Sequence, residues 1–224
     1  MSNLLSSLSP EYAQLLTDSL PAPIESRMTL RLTFLFLLAV GVSLLFAGAA
    51  GAGVHSGSST DGAAPVFSSA EIAPVEACTN QTNPGLSAEE QATVMFCMTN
   101  YARAANGLGA LKPSRRLGRA ALQKSVDILG CDEFSHYACG RDFDFWDQKF
   151  GYLKGCWKVG ENIAWGTGTY STVRAIFTSW LESTEHHENI LGPYREIGIG
   201  LRVGELEGNE GAAVWTQDFG SHAC

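Results

Sequence analysis

The stretch IGIGLRVGELEGNEGAAVWTQDFG, from Ile197 to Gly220, decides which fold class this chain is expected to adopt. Apolar residues occupy every second position from 197 to 203, which is the period of a β-strand. The turn-forming run EGNEG (207–211) separates this strand from a second apolar run at 213–219. The two runs are therefore predicted to form a β-hairpin at the end of the chain.

Working back from the hairpin, the sequence predicts a third strand at 159–165 and a helix after Ser171-Thr172. That helix has apolar residues at helical spacing from Val173 to Leu181. A short helix with aromatic residues is predicted before it, and either Asp142 or Asp144 could cap that helix.

Two longer helices are predicted closer to the N-terminus. The first begins at Ser87, where Glu90 completes a capping box, and ends at Asn106-Gly107. The second runs from Pro113-Ser114 to Gly130. Three strands among four helices, with the hairpin last, predict an α+β fold rather than repeated βαβ units.

The N-terminal part differs sharply in composition from this domain. Residues 28–52 carry one early arginine, a long uncharged apolar run and then small residues, which predicts a cleaved signal peptide or an uncleaved membrane anchor. Residues 1–27 form an N-terminal extension that translation from Met28, the expected start, would leave out. Residues 53–85 are rich in Ser, Gly, Ala and Pro and predict a flexible linker, which leaves 86–224 as the domain. The domain is expected to be secreted, or anchored to the outer face of a membrane by 32–52.

Charge and cysteine content narrow the class of protein further. The net charge is −8 and no run of Lys or Arg occurs, so nucleic-acid binding is not expected. Membrane contact is expected only through the apolar stretch at 32–52. All six cysteines follow the apolar segment, which is typical of a disulfide-bonded exported protein. The expected pairs are Cys78 with Cys97, Cys131 with Cys139, and Cys156 with Cys224.

The residues that could perform chemistry are few. Glu161 and Asn162 lie at the centre of GENIAWG (160–166), an otherwise apolar strand, and a buried carboxylate needs a partner. The histidines available are His136, in FSH (134–136), and the adjacent pair His186 and His187. The alternative is that Glu161 and Asn162 only hydrogen-bond backbone at a loop while His136 packs.

Five motifs occur in one order: FSH, GENIAWG, the W-x-x-S-x-x-H-x-x-NIL pattern at 180–191, IGIG at 197–200, and WTQDFG at 215–220. Together with NYARAANGLGALKPSRRL (100–117), they resemble the CAP superfamily of cysteine-rich secretory, antigen 5 and pathogenesis-related proteins. The likeness is greatest to its bacterial, signal-bearing members and covers roughly 86–224.

This resemblance implies a three-layer α-β-α sandwich with a cleft formed by His136, Glu161 and His186, with Asn162 beside them. His187 is the alternative to His186. Relatives often have a second glutamate where this chain has Ser183, and Glu185 is a possible substitute. Glu182 is the other, although on a helix it should point elsewhere.

Three functions are open for this cleft. His136, His186 and Glu161 could bind a divalent metal such as zinc, because two imidazoles and one carboxylate suffice for that ion. A metal-dependent extracellular hydrolase could use Glu161 as a base. The preferred hypothesis is a module that binds or sequesters a ligand, with a small hydrophobic ligand or a cell-envelope component as the partner.

Aromatic side chains could line such a binding site, although most are expected to pack in the core. Ten of the 22 aromatic residues fall in the stretch from 134 to 170. They are Phe134, Tyr137, Phe143, Phe145, Trp146, Phe150, Tyr152, Trp157, Trp165 and Tyr170.

Overall fold

A computed structural model describes residues 67–222 of the chain. Within this range there are five α-helices, and they are α1 (Ala88–Ala105), α2 (Arg115–Gly130), α3 (Phe145–Lys149), α4 (Val173–Glu182) and α5 (Thr184–Ile190). The four strands in the same range are β1 (Lys112–Pro113), β2 (Lys158–Gly166), β3 (Glu196–Leu206) and β4 (Asn209–Ser221). The α+β class is therefore confirmed.

The strands form one sheet in the order β1-β3-β4-β2. The predicted hairpin is β3 and β4, which pair antiparallel around Glu207 and Gly208. Both turn residues have positive φ, 50° and 76°, as a two-residue type I′ turn requires. The short parallel strand β1 was not predicted, because two residues carry no periodic signal. Strand β2, which contains GENIAWG, is an edge strand.

One face of the sheet is covered by α2, and glycines on β3 make this close packing possible. A Cβ atom on Gly198 would lie 2.0 Å from the backbone of Leu117, and one on Gly200 would lie 2.3 Å from that of Ala121. The glycines of IGIG therefore face α2, while the alternating isoleucines face the other way.

The opposite face of the sheet is covered by α1, α4 and α5. Ile197, Ile199 and Trp215 are fully buried there with side chains from α1 and α4. Two helical layers thus enclose the sheet, which is the predicted sandwich.

The helices α1 and α4 begin where their capping residues predicted. Ser87 and Glu90 form the capping box of α1, and Thr172 accepts a hydrogen bond from the backbone of Ala175 at the start of α4. The helix that follows Thr172 is interrupted at Ser183, whose backbone is extended, so α5 is a separate short helix.

Residues 67–86, here called the N-terminal segment, differ from the flexible linker predicted for 53–85. Ala73 and Cys78 are fully buried in the core that α1 and α4 share. Gln81 is buried too and accepts a hydrogen bond from Arg174 at 2.7 Å. Many of the small residues that suggested a linker, such as Ser69, Ala70 and Gly85, are exposed, so a few buried residues attach the segment to the domain.

Two of the predicted disulfides, Cys78–Cys97 and Cys131–Cys139, are confirmed. Cys156 is also disulfide-bonded, whereas Cys224 lies outside the described residues, so that pairing stays a prediction. The predicted extension, export segment and first part of the linker also lie outside the described range. Within 67–222, no helix is long and apolar enough to cross a membrane.

Candidate functional site

His136 and Glu161 are in direct contact. The imidazole Nδ1 of His136 lies 2.7 Å from Oε1 of Glu161, within hydrogen-bond distance. Glu161 points from β2 toward the α2 side of the sheet and is buried, whereas the His136 side chain is 40% exposed. The Cys131–Cys139 disulfide closes the loop that carries His136. The pair therefore has a buried carboxylate behind and an accessible imidazole in front.

A third residue, Lys124, contacts both members of this pair. Its side chain is only 1% exposed, and its Nζ lies 3.8 Å from Oε1 of Glu161. The same ammonium group donates a hydrogen bond to the backbone carbonyl of His136. The partner that a buried Glu161 requires is thus a histidine and a lysine together.

Two further carboxyl groups, Asp147 and Asp218, belong to this buried cluster. Asp218 lies directly opposite Glu161 on the neighbouring strand β4, so the two side chains share a face of the sheet. Asp147 comes from α3, and its Oδ1 is buried with no hydrogen-bond partner among the described residues.

The cluster holds more carboxyl groups than cations, and its pKa values reflect this. Burial, and then the charge of Glu161, raises the pKa of Asp147 to about 8. Burial also raises the pKa of Asp218 well above its ordinary value, with Asp147 and Glu161 adding to the effect. Burial raises the pKa of Glu161 as well, while its hydrogen bond to His136 and the charge of Lys124 lower it. Asp147 is therefore largely protonated at neutral pH, which limits the repulsion.

Asn162 points to the other face of the sheet and joins β2 to α5. Its Nδ2 donates to the carbonyl of His186 at 3.1 Å, and its Oδ1 accepts from Nδ2 of Asn189 at 2.9 Å. Asn189 also donates to the backbone carbonyl of Glu161. Asn162 therefore positions α5 against the strand that carries Glu161.

His186 belongs to α5, on the opposite side of the sheet from Glu161's side chain. Burial lowers the pKa of His186, and the charge of His136 lowers it further. The two imidazoles are thus close enough to interact electrostatically around the edge strand β2. Nδ1 of His186 is buried and has no hydrogen-bond partner within the described range.

His187, the alternative to His186, has a different partner. Its Nε2 lies 2.6 Å from Oε2 of Glu71, in the N-terminal segment. His187 therefore ties that segment to α5. Of the possible substitutes for the second glutamate, Glu182 is exposed, and Glu185 is exposed and accepts a hydrogen bond from Ser183.

No three His, Cys, Asp or Glu side chains within 67–222 form a group that could hold a metal ion. Oε1 of Glu161 is already engaged by an imidazole and an ammonium group. Binding of a divalent ion by His136, His186 and Glu161 stays a prediction.

Most of the aromatic cluster lies outside the core, contrary to the expectation: one of the ten residues is buried, five are partly buried and four are exposed. Trp146 stacks on Phe150 and donates to Asp127, and Tyr152 is fully buried. Two members, Phe134 and Tyr137, flank His136 and are 37% and 58% exposed. These two residues are therefore exposed aromatic neighbours of His136 along the chain.

Three residues of the buried cluster were not predicted from the sequence: Lys124, Asp147 and Asp218. Lys124 had a detectable signal, because it falls at helical spacing between Ala121 and Ile128 on the apolar face of α2. Asp218 lies in β4, where every residue from 212 to 221 is buried. A charged residue at a core position indicates either a paired charge or a site.

The motif order and this fold define one class of protein. The sequence profile of the cysteine-rich secretory protein family, CAP, matches residues 96–219. The chain therefore belongs to the CAP family, and the resemblance noted in its motifs is confirmed. No curated protein sequence matches the chain.

Solved bacterial structures are similar in fold. An outer surface protein from Borrelia burgdorferi superposes with a TM-score of 0.51 at 16% identity, covering 62% of this chain and 97% of that one. An extracellular protein containing a SCP domain from Bacillus anthracis gives a TM-score of 0.48 at 23% identity, covering 60% of this chain and 43% of the other. The chain thus spans less than half the length of that second protein.

Proposed function

We propose that this protein is an exported ligand-binding module whose contact surface centres on His136. The observation that carries the proposal is the arrangement of this side chain: Glu161 holds Nδ1 from behind at 2.7 Å, while the ring is 40% exposed. With Nδ1 engaged, Nε2 is the nitrogen that can contact a ligand. A ring fixed at one nitrogen loses little conformational freedom when it binds.

The surroundings of His136 suggest the chemistry of the ligand. Phe134, two residues before it in the chain, and Tyr137, directly after it, are both exposed. Apolar surface with a small number of placed polar groups is typical of small-molecule sites. The proposed ligand therefore has an apolar face and a hydroxyl group, as sterols, lipids and cell-envelope glycans do.

Export is supported by two features of the chain. Disulfides persist in oxidising compartments, and the described domain contains Cys78–Cys97 and Cys131–Cys139. The apolar segment at 28–52 has the composition of a signal peptide or anchor. We infer that the domain acts outside the cytoplasm, either secreted or anchored by 32–52.

Native mass spectrometry of the protein purified from its own host tests the proposal. We expect a bound lipid, sterol or glycan that is lost in Phe134→Ala and Tyr137→Ala. Tyr170→Ala is the matched control, since Tyr170 is 77% exposed but lies in a different turn. Retention of the ligand in both Phe134→Ala and Tyr137→Ala, or its loss in all three variants, would contradict the proposed surface.

Divalent-metal binding, and the metal-dependent hydrolase that it would permit, are kept as the second hypothesis. The observation that favours an ion is Nδ1 of His186, which is buried with no partner among the described residues. Calorimetry with zinc on metal-free protein tests this hypothesis. Heat that disappears in both His136→Ala and His186→Ala would support it.

A further inference from the structure

Lys124 occupies a position where a lysine is costly unless it has a specific task. It lies on the face of α2 that packs on the sheet, and its side chain is 1% exposed. Removing an ammonium group from water is unfavourable by several kcal/mol unless charged or polar partners compensate. Its contacts should therefore explain why it is buried here.

Those contacts connect the two halves of the proposed contact site. The Nζ atom donates to the backbone carbonyl of His136 and lies 3.8 Å from Oε1 of Glu161. That same oxygen takes the hydrogen bond from His136 Nδ1. One ammonium group thus holds the loop of the histidine and the side chain of the glutamate at once.

The charge of Lys124 also acts on the rest of the buried cluster. It lowers the pKa of Asp147 and of Asp218, opposing the effect of burial on both. Lys124 therefore faces carboxyl groups from β2, β4 and α3. It is the cation shared by the buried carboxyl groups of this site.

We propose that Lys124 is the resident cation of this site, a positioning residue that assembles the His136–Glu161 pair without a metal ion. The inference deepens the proposed function, and it rests on His136 being the residue that contacts the ligand. A divalent ion bound to Oε1 of Glu161 would have to displace the His136 hydrogen bond and lie beside a buried ammonium group of like charge. The charge of Lys124 therefore disfavours a divalent ion at Oε1 of Glu161.

The first experiment uses the full-length wild-type protein and needs no variant to fold. Nitrogen NMR of the histidine rings follows the His136 Nδ1 signal after treatment with EDTA and again after addition of zinc chloride. We expect the signal to be unchanged by EDTA and by a molar excess of zinc. Loss of the hydrogen-bonded signal in EDTA, or stoichiometric zinc binding that disappears in His136→Ala, would overturn the proposal.

The second experiment removes the cation. Lys124→Met has a similar volume and no charge, and Lys112→Met is the matched control, because Lys112 is exposed on β1 at the opposite edge of the sheet. We expect Lys124→Met to raise the pKa of the Glu161 carboxyl, to shift the His136 ring signal and to increase zinc affinity at least tenfold. The control should behave as the wild type.

The outcomes separate positioning from simple packing. If Lys124→Met is folded but leaves the His136 signal and the Glu161 titration unchanged, Lys124 does not position the pair and the proposal fails. All of these readouts are made on protein without organic ligand. A failure of the proposed function, seen as ligand binding that ignores Phe134 and Tyr137, is therefore distinguishable from a failure of this inference.

Discussion

At the scale of single residues, the charges of the buried cluster depend on neighbours that are distant in sequence. Glu161 meets Lys124 from α2 and His136 from the following loop, whereas Asp218 approaches from β4. Each carboxyl group is buried, so its ionisation is set by how many cations reach it. Lys124 and His136 are the basic side chains that contact this group of three carboxyl groups, through Glu161. Protonation of Asp147 relieves the remaining repulsion.

Asp147 should make the stability of the domain depend on pH. Burial first, and then the charge of Glu161, raises its pKa from 3.8 to about 8 in the folded protein. Between pH 4 and 8 the folded state keeps a proton that the unfolded state has lost, so the free energy of unfolding should fall as the pH rises. The contribution is at most about 1.4 kcal/mol per pH unit.

Urea denaturation at a series of pH values measures this slope. Asp147→Asn, which stays neutral, should reduce the slope between pH 4 and 8, whereas Asp142→Asn at an exposed position should leave it unchanged. An equal slope in Asp147→Asn and in the wild type would show that Asp147 does not retain its proton on folding.

At the scale of elements, the packing of α2 on the sheet decides whether Lys124 can reach Glu161. The glycines of β3 remove the side chains that would otherwise separate helix and sheet. Close approach places Ser125 against Thr216 at 2.9 Å between their hydroxyl oxygens, and Lys124 beside β2. IGIG is therefore a packing motif that also positions the site.

Gly198→Ala should push α2 away from the sheet. The new Cβ would lie 2.0 Å from the backbone of Leu117, a distance that backbone movement alone can relieve. We expect a loss of about 1–3 kcal/mol in the free energy of unfolding, by the usual cost of overpacking. Thermal or urea denaturation measures it.

Gly118→Ala is the matched control on the helix itself. A Cβ at this position meets no atom within 4 Å, and alanine favours a helix over glycine by about 0.5–1 kcal/mol. This variant should therefore be as stable as the wild type or more so. If both substitutions were neutral, the close contact between α2 and β3 would be refuted.

At the scale of the whole molecule, the domain begins earlier than residue 86. The N-terminal segment contributes Ala73 and Cys78 to the main core, and Glu71 binds His187 on α5. A linker would make no such contacts. The segment therefore forms part of the fold and supports the helix that carries His186.

Truncation tests this boundary. A chain that begins at Phe67 should unfold at the same temperature as the full chain, whereas one that begins at Leu86 should unfold at a clearly lower temperature. The shorter chain loses buried side chains and the Cys78–Cys97 disulfide, which alone contributes about 2–4 kcal/mol. Cys78→Ala with Cys97→Ala in the longer chain separates the disulfide from the packing, and equal melting of both truncated chains would place the boundary at 86.

The sequence by itself determined the elements whose signals are local. The capping box at Ser87, the helical spacing after Thr172 and the turn at Glu207-Gly208 each depend on a few adjacent residues, so α1, α4 and the hairpin were predicted. Each family motif is also a short run of adjacent residues, and the order of these motifs along the chain identified the family. Glu161 was predicted because a carboxylate in an apolar strand needs a partner, and the family pattern then paired it with His136.

Only the tertiary structure decided which charges meet. Lys124, Asp147 and Asp218 come from three separate elements, and no local pattern states that they surround Glu161. The N-terminal segment was misjudged as a linker because its burial depends on contacts with α1 and α4 that composition does not encode. Burial and ion pairing are properties of residues far apart in the chain, whereas caps, turns and periodicity are properties of neighbours.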